Sequence, residues 1–400
     1  MLKRRGVGEN LGMGDGGKIV LVITDLEMGG SPRWLRDLAV GLKREWGWAV
    51  EVVSLKALPV RGKSNGPTIA EQLQGAGIGV RSLGIRGAWG FWRGRRVLRR
   101  MLEESGAEVV YSVLVHANVL TALAMGRGRR RSAWRPAFVQ GIHTLQRRPR
   151  WHWRAIGWAV KFADAMIVPS GAVLERVRRY GRVREGVVIP NGIDVERFAR
   201  AVPVERVPWP EGAKVVGYVG RFDVVKNLDV LIRTVERMGD GVHLALVGYG
   251  AEGERLQGLA GELGIGGRVH FVGATGEPER WYRRFDCVCS ASEEEGFGLM
   301  LVEAMAAGAP VVAVETAVTG EIVRSGVDGV LVRPPVDSGR LSEALGRVLG
   351  GKWREGAAPF SPTFAAGGGK STQAWVAERF SVGGMVARHR EFLEKIREGR

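Results

Sequence analysis

Sulfur chemistry is nearly absent from this chain. Its 400 residues include two cysteines, Cys287 and Cys289, two apart in Phe285-Asp-Cys-Val-Cys-Ser. On a strand they share one face and cannot easily bridge to each other, so they read as buried thiols in a reducing compartment. There is no CxxC and no cluster of histidines. Asp-x-Asp, a carboxylate pair that commonly holds a metal beside a diphosphate, is also missing, so metal-independent chemistry is expected. No apolar run reaches the roughly eighteen residues of a membrane-spanning helix. Lys3, Arg4 and Arg5 precede no apolar core, so the start does not read as a secretory signal. Residues 1–17, with several glycines, read as a flexible tail, and the expected location is cytoplasmic.

Acidic residues are scarce in one half only. Residues 1–200 hold 35 Lys+Arg against 16 Asp+Glu and the remainder 24 against 26, so the whole excess behind the net charge of +17 lies in the first half. That half is expected to meet an anionic surface or acceptor. Trp89-Gly-Phe-Trp-Arg-Gly-Arg-Arg-Val-Leu-Arg-Arg-Met-Leu102 mixes aromatics with arginines, as does Arg147-Arg-Pro-Arg-Trp-His-Trp-Arg-Ala-Ile-Gly-Trp158. Tryptophan and arginine on a partly exposed helix fit the headgroup layer of an anionic membrane. The alternative is a helix whose aromatics pack on its own sheet while arginines solvate the outside. Arg127–Arg131 reads as a solvated loop. Basic domains with stacking aromatics can bind single-stranded nucleic acid. No such motif occurs, however, and a carboxylate-bearing cleft repels phosphate backbones, so no nucleic-acid partner is expected.

Short apolar runs alternate with helical patterns. Lys18–Thr24, Ala49–Ser54, Glu108–Leu114, Phe138–His143 and Ala165–Pro169 read as strands, with a helix over about Pro32–Arg44. A second set comprises Val215–Val219, Val242–Val247, Arg268–Val272, Cys287–Ser290 and Val311–Val314. These runs lack period-two alternation, as expected where helices cover both faces of a parallel sheet. Val202–Ala213, with three prolines, separates the sets. The expected fold is α/β, with two doubly wound parallel-sheet domains, 18–200 and 214–380, joined by a linker at 201–213. Ligands of such sheets sit at the carboxyl ends of strands, so a shared ligand lies in the cleft between the domains.

The densest signal is Ser292-Glu-Glu-Glu295-Gly-Phe-Gly-Leu299, running into a helix that carries Glu303. Eight helical steps rise roughly 12 Å. That is too far for an acid and base flanking one glycosidic bond, about 5–9.5 Å apart. It suits gripping hydroxyls at the two ends of an elongated ligand, with the free N–H groups of the helix start meeting an anion between them. Sugar, diphosphate, ribose is the order a nucleotide-sugar presents. Gly248-Tyr-Gly250-Ala-Glu-Gly253 fits the dinucleotide fingerprint, but it follows a later strand of its domain rather than the first. Gly367-Gly-Gly-Lys-Ser-Thr372 lacks the first glycine of a P-loop and has no strand feeding it.

Glu295-Gly-Phe-Gly-Leu-Met-Leu-Val-Glu303-Ala-Met-Ala-Ala-Gly-Ala-Pro closely resembles the E-x7-E signature of retaining glycosyltransferases of the GT-B fold, family 4. Val188-Ile-Pro-Asn-Gly-Ile-Asp194 resembles that family's inter-domain segment, and Val219-Gly-Arg221-Phe-Asp-Val-Val-Lys226-Asn its phosphate-binding loop. Met28-Gly29-Gly30 resembles its amino-terminal glycine loop. The likeness runs from about Lys18 to Arg333 and implies two Rossmann-like domains facing across a cleft, with a C-terminal helix, 381–400, packing back on the first domain.

The resemblance also implies roles. Arg221 and Lys226 would neutralise the departing diphosphate, charge that develops mainly in the transition state. Glu303 would hold the ribose and Glu295 the donor sugar, with backbone N–H groups near Phe297, Gly298 and Leu299 touching phosphate or sugar. Gly29 and Gly30 would let the backbone approach the diphosphate, and Gly250 would close the strand lining the nucleotide site. His143 matches a histidine near the reacting sugar and His116 one on the acceptor side. The implied activity is transfer of a hexose-type sugar from a UDP- or GDP-linked donor, with no cofactor, to a hydroxyl acceptor in cell-envelope glycolipid or polysaccharide synthesis, and the basic, tryptophan-bearing half points to a phosphorylated or lipid-linked acceptor. It is placed at the cytoplasmic face of a membrane. A catalytically idle binding module and a sugar-nucleotide epimerase are the alternatives. The chain departs from the pattern in following its glycine loop with Ser31-Pro32, and in lacking the second glycine common before Glu321.

Overall fold

A computed structural model of the protein describes residues 16–27, 29–60, 66–126, 134–144, 151–352 and 371–399. Most of the amino-terminal tail, Met28, Arg127–Arg131, Arg147–Arg150 and Gly367–Lys370 lie outside the described residues. The first seven strands are β1 (Lys18–Ile23), β2 (Ala49–Ser54), β3 (Gly79–Ser82), β4 (Val109–Val113), β5 (Ala137–Gly141), β6 (Ala165–Val168) and β7 (Glu185–Val188). They form one parallel sheet in the order β3-β2-β1-β4-β5-β6-β7. The next six are β8 (Lys214–Val219), β9 (Val242–Val247), β10 (Val269–Gly273), β11 (Cys287–Ser290), β12 (Val311–Val314) and β13 (Gly329–Val332). They form a second parallel sheet, β10-β9-β8-β11-β12-β13.

The unbroken apolar runs follow from two-sided cover. In β1, Ile19, Leu21 and Ile23 join a core with Trp34, Leu35 and Leu38, while Val20 and Val22 join another with Leu98, Leu102 and Leu120. In β11, Cys287 and Cys289 share one core and Val288 enters the other, the period of a strand. Both cysteines are buried free thiols.

The two tryptophan-arginine stretches divide differently from a simple inside-outside split. In the Gly87–Ser105 helix, Phe91, Leu98 and Leu102 pack on the sheet. Trp89 and Trp92 are 86% and 61% exposed, and with Arg93, Arg96, Val97 and Arg100 they form one outward stripe at helical spacing. In the Trp151–Val160 helix, Trp153 is buried while Trp151 and Trp158 are exposed.

The chain crosses between domains twice, at one place. The Ile193 N–H donates to the Phe380 carbonyl at 2.8 Å, and the Val382 N–H to the Ile193 carbonyl at 3.0 Å. The Val382–Glu398 helix then lies on the first domain, its Met385, Val386 and Leu393 completing that core. Val386 occupies the space a side chain at Gly41 would need, 2.6 Å from an ideal Cβ there. The first crossing precedes the expected boundary at 200 and linker at 201–213. Ile193 and Phe198 already belong to the second domain's core, with Trp209 packed against it. A proline-rich stretch signals irregular backbone, and here that backbone runs along a domain surface.

Candidate active site

In each sheet the strand order reverses at one point, between β1 and β4 and between β8 and β11, where ligand crevices open. At the second point, the loops after β8 and β9 lie in contact. A Cβ at Gly250 would stand 2.3 Å from the Phe222 carbonyl oxygen, and the Phe222 N–H donates to Tyr249 O at 2.9 Å. The Gly-x-Gly spacing therefore lets two loops pack, which holds the Arg221 turn in place. Lys226 ends a short 3-10 turn, Val224–Lys226. Asn227 follows with φ of 50°, and its side-chain amide donates to the Ala291 carbonyl at 3.0 Å. This delivers Lys226 Nζ to Glu295 Oε1 at 2.7 Å. Arg221 pairs with Asp223 at 2.8 Å and stays largely exposed.

Gly298, at φ 88°, opens the Leu299–Ala306 helix, whose first turn has no side-chain cap and no acidic residue. Its leading N–H groups are free to take an anion. The Phe297 side chain is buried against Phe380, centroids 5.8 Å apart, so only its backbone serves the cleft. Glu303 is 4% exposed. Its Oε2 accepts from the Tyr282 hydroxyl at 2.8 Å, and its Oε1 lies 3.3 Å from Arg33 Nη2. Arg33 comes from the first turn of the Gly30–Trp46 helix in the other domain. Glu303 strengthens the Arg33 guanidinium's hold on its proton, while burial pushes the Tyr282 phenol well up.

Three further contacts close the cleft. An ideal Cβ on Gly296 would sit 2.1 Å from the His143 carbonyl oxygen, so only glycine fits. Gly30 abuts Leu299, its ideal Cβ 3.1 Å from Leu299 Cδ1. Gly29, beside it, accepts the Arg33 N–H at 3.2 Å. Glu321 accepts from the N–H groups of Gly171 and Ala172, at 2.9 and 3.0 Å, capping the Gly171–Arg178 helix from across the cleft.

His143 lies two residues beyond β5 rather than on the strand. Its backbone faces Gly296, and its ring nitrogens turn inward, packed on Trp34 at 4.3 Å. Burial first, then His389, pushes its pKa down to about 3 against an opposing pull from Asn191, so the imidazole is neutral at physiological pH. His116 is exposed in the first turn of the Val115–Met125 helix, beside Trp151 and His152 of its own domain. The cleft thus gathers Gly29, Gly30, Lys226, Glu295, Gly298, Leu299 and Glu303. Arg33, Tyr282 and Glu321 were not legible as site residues, although Arg33 stands one turn past the glycine loop. Among the described residues no group of three or more His, Cys, Asp or Glu could hold a metal ion.

Two Rossmann-like domains meeting across such a cleft define the GT-B architecture of glycosyltransferases. Residues 28–197 match the model described as Glycosyltransferase Family 4 and residues 204–356 the model described as Glycosyl transferases group 1. The chain belongs to this family of GT-B proteins. It is 32% identical over 275 residues to D-inositol 3-phosphate glycosyltransferase of Nocardia farcinica, covering 61% of this chain and 60% of that protein. It is 36% identical over 197 residues to phosphatidyl-myo-inositol mannosyltransferase of Mycobacterium tuberculosis, covering 46% and 50%. The chain therefore spans about half of these curated relatives. Anabaena HepE, solved with UDP and glucose, superposes with a TM-score of 0.76 at 22% identity, over 95% of this chain and 100% of that one. Sucrose-phosphate synthase of Thermosynechococcus elongatus gives 0.77 at 20%, over 96% and 100%. At these identities the structures speak to the fold alone.

Proposed function

We propose that the protein transfers a hexose-type sugar from a UDP- or GDP-linked donor to a hydroxyl of a phosphorylated or lipid-linked sugar, with retention and without a metal. The observation that carries this reading is the convergence of Lys226, Glu295, Glu303 and an uncapped helix start, with Gly30 opposite. The sugar C1–O bond to the diphosphate breaks and a C1–O bond to the acceptor forms on the same face. The acceptor's proton passes to the leaving phosphate oxygen. Arg221, Lys226 and the helix N–H groups stabilise the charge building on that phosphate. Glu303 takes the ribose hydroxyls and Glu295 those of the donor sugar.

Calorimetry with UDP, GDP and their sugars tests the donor half. One nucleotide series should bind, and Lys226→Ala and Glu303→Ala should each weaken it about tenfold or more. Absence of binding to folded wild-type protein favours the idle binding module. Steady release of free nucleotide without an acceptor favours the epimerase.

The outward stripe of Trp89, Trp92, Arg93, Arg96, Val97 and Arg100 supports work at an anionic membrane face, in envelope glycolipid or polysaccharide synthesis. No described helix is long and apolar enough to cross a membrane. Sedimentation with phosphatidylglycerol vesicles at low salt should exceed that with phosphatidylcholine; equal partitioning removes the membrane clause.

A further inference from the structure

Two helices start on opposite sides of the cleft and meet there, the Gly30–Trp46 helix of the first domain and the Leu299–Ala306 helix of the second. An ideal Cβ on Gly30 would stand 3.1 Å from Leu299 Cδ1. Neither start has a side-chain cap or an acidic residue in its first turn. Two positive helix ends therefore face one place, which favours an anion between them. Arg33, in the first turn of the Gly30–Trp46 helix, brings a full positive charge to the same region. It spends that charge elsewhere, on Glu303, four residues along the facing helix from Leu299 and a rise of roughly 6 Å away.

Arg33 covers Glu303 from the cleft. The fully buried Tyr282 reaches Glu303 Oε2 from inside the second domain, at 2.8 Å. Arg33 Nη2 reaches Oε1 from the other domain, at 3.3 Å, and of the two side chains the arginine is the exposed one, 32% against 5%. A ligand entering the cleft meets Arg33 before it meets the carboxylate. Glu303 raises the Arg33 pKa, burial opposes it, and Tyr282, Asp37 and Glu279 add to the rise. Asp37 is itself held by Arg36 at 2.6 Å, and Glu279 by Arg197 at 2.9 Å. Among the described residues, Glu303 is the one carboxylate in ion-pair contact with Arg33.

We infer that Arg33 is a specificity-determining residue that makes nucleotide binding conditional on the diphosphate: it holds Glu303 until ribose hydroxyls displace it, then pairs with the diphosphate one helical turn away. The inference rests on the proposed function, which puts ribose at Glu303 and the diphosphate at the helix start. A nucleoside without phosphate gives Glu303 new hydrogen bonds. It leaves the guanidinium, which does not lose its proton, stripped of its carboxylate. A nucleoside diphosphate supplies both halves of the exchange, hydroxyls for the carboxylate and phosphate oxygens for the planar fork of the guanidinium. The ion pair thus penalises the incomplete ligand as well as rewarding the complete one.

Competition calorimetry on the whole chain tests it, with uridine against UDP and guanosine against GDP, on wild-type protein, Arg33→Ala and Arg33→Met. Thermal melts check folding, and Arg33→Met keeps the aliphatic stem should Arg33→Ala melt early. In the series that binds, loss of Arg33 should tighten the nucleoside about tenfold and weaken the diphosphate about tenfold. On a Glu303→Gln background, Arg33→Met should no longer tighten the nucleoside, because the ion pair is already broken. If both ligands weaken alike, or neither changes, Arg33 is a structural contact; the inference is refuted and the donor reading stands. If both tighten, Arg33 obstructs the site without serving the diphosphate, which also refutes it. If wild-type protein binds neither diphosphate, the donor reading falls and this inference with it.

Discussion

The crevice of the second domain is built from paired charges: Lys226 with Glu295, Arg221 with Asp223, and Glu303 with Arg33 and Tyr282. That of the first domain holds one ion pair, two imidazoles and a half-exposed indole. The half that carries the chain's excess positive charge thus spends little of it in its crevice, while Arg93, Arg96 and Arg100 stand on the outer helix stripe. Paired charges suit an exchange. On the proposed function, a diphosphate that takes Lys226 frees the Glu295 carboxylate for sugar hydroxyls. Each side nevertheless uses the same device, a non-glycine residue held at positive φ just past a strand, Leu114 at 74° and Asn227 at 50°.

The largest effect should come from forcing the halves apart. Gly296→Val puts a branched side chain where the His143 carbonyl already stands. Misplacement by an ångström costs about a hundredfold in rate. Transfer should fall by about that factor, with a larger radius of gyration in small-angle scattering; an unchanged rate would detach this contact from the working conformation.

Acid should discriminate next. Burial holds His143 down to about 3 and His389 to about 4, against about 6.5 in an unfolded chain. Below pH 6.5 the unfolded chain binds more protons, so stability is complete above that value and falls as pH drops towards 4. Each proton steepens the loss by about 1.4 kcal/mol per pH unit. His389→Phe should remove one proton from the slope of denaturant midpoint against pH. An unaltered slope would move the loss to the second domain, where burial lowers His243 and His270 in the same direction.

Strain gives the smallest effect. Leu114→Gly releases about 1–3 kcal/mol, less the 0.5–1 kcal/mol or so that glycine's freedom costs. The melting temperature should rise while acceptor-dependent rate falls. Asn227→Gly should gain less, because asparagine tolerates left-handed backbone. Equal gains would erase the distinction between the two turns.

Most of both sheets was legible because their central strands are buried on two sides and read as solid apolar runs. The strands not foreseen, β3, β7 and β13, lie at sheet edges. β3 and β7 contain no buried residue, so nothing in their sequences demanded two covered faces. The second-domain motif was legible because one loop and one helix carry it. Arg33, Tyr282 and Glu321 escaped because each meets its partner from another element, and two of them from another domain. The ends of β1, β2 and β4 are equally non-local: His116 and Trp151 drew notice in sequence, but Asp25 and Lys56 are unremarkable until separate elements bring them to one sheet end.

The two crossings between domains are bonded to each other through Ile193, Phe380 and Val382. A single connecting strand would leave the second domain free to swivel about its own bonds. Two strands fastened side by side resist that torsion and leave bending about the axis through them as the soft motion. The cleft can then open like a book with its spine intact, and every closure returns Gly296 to the same carbonyl.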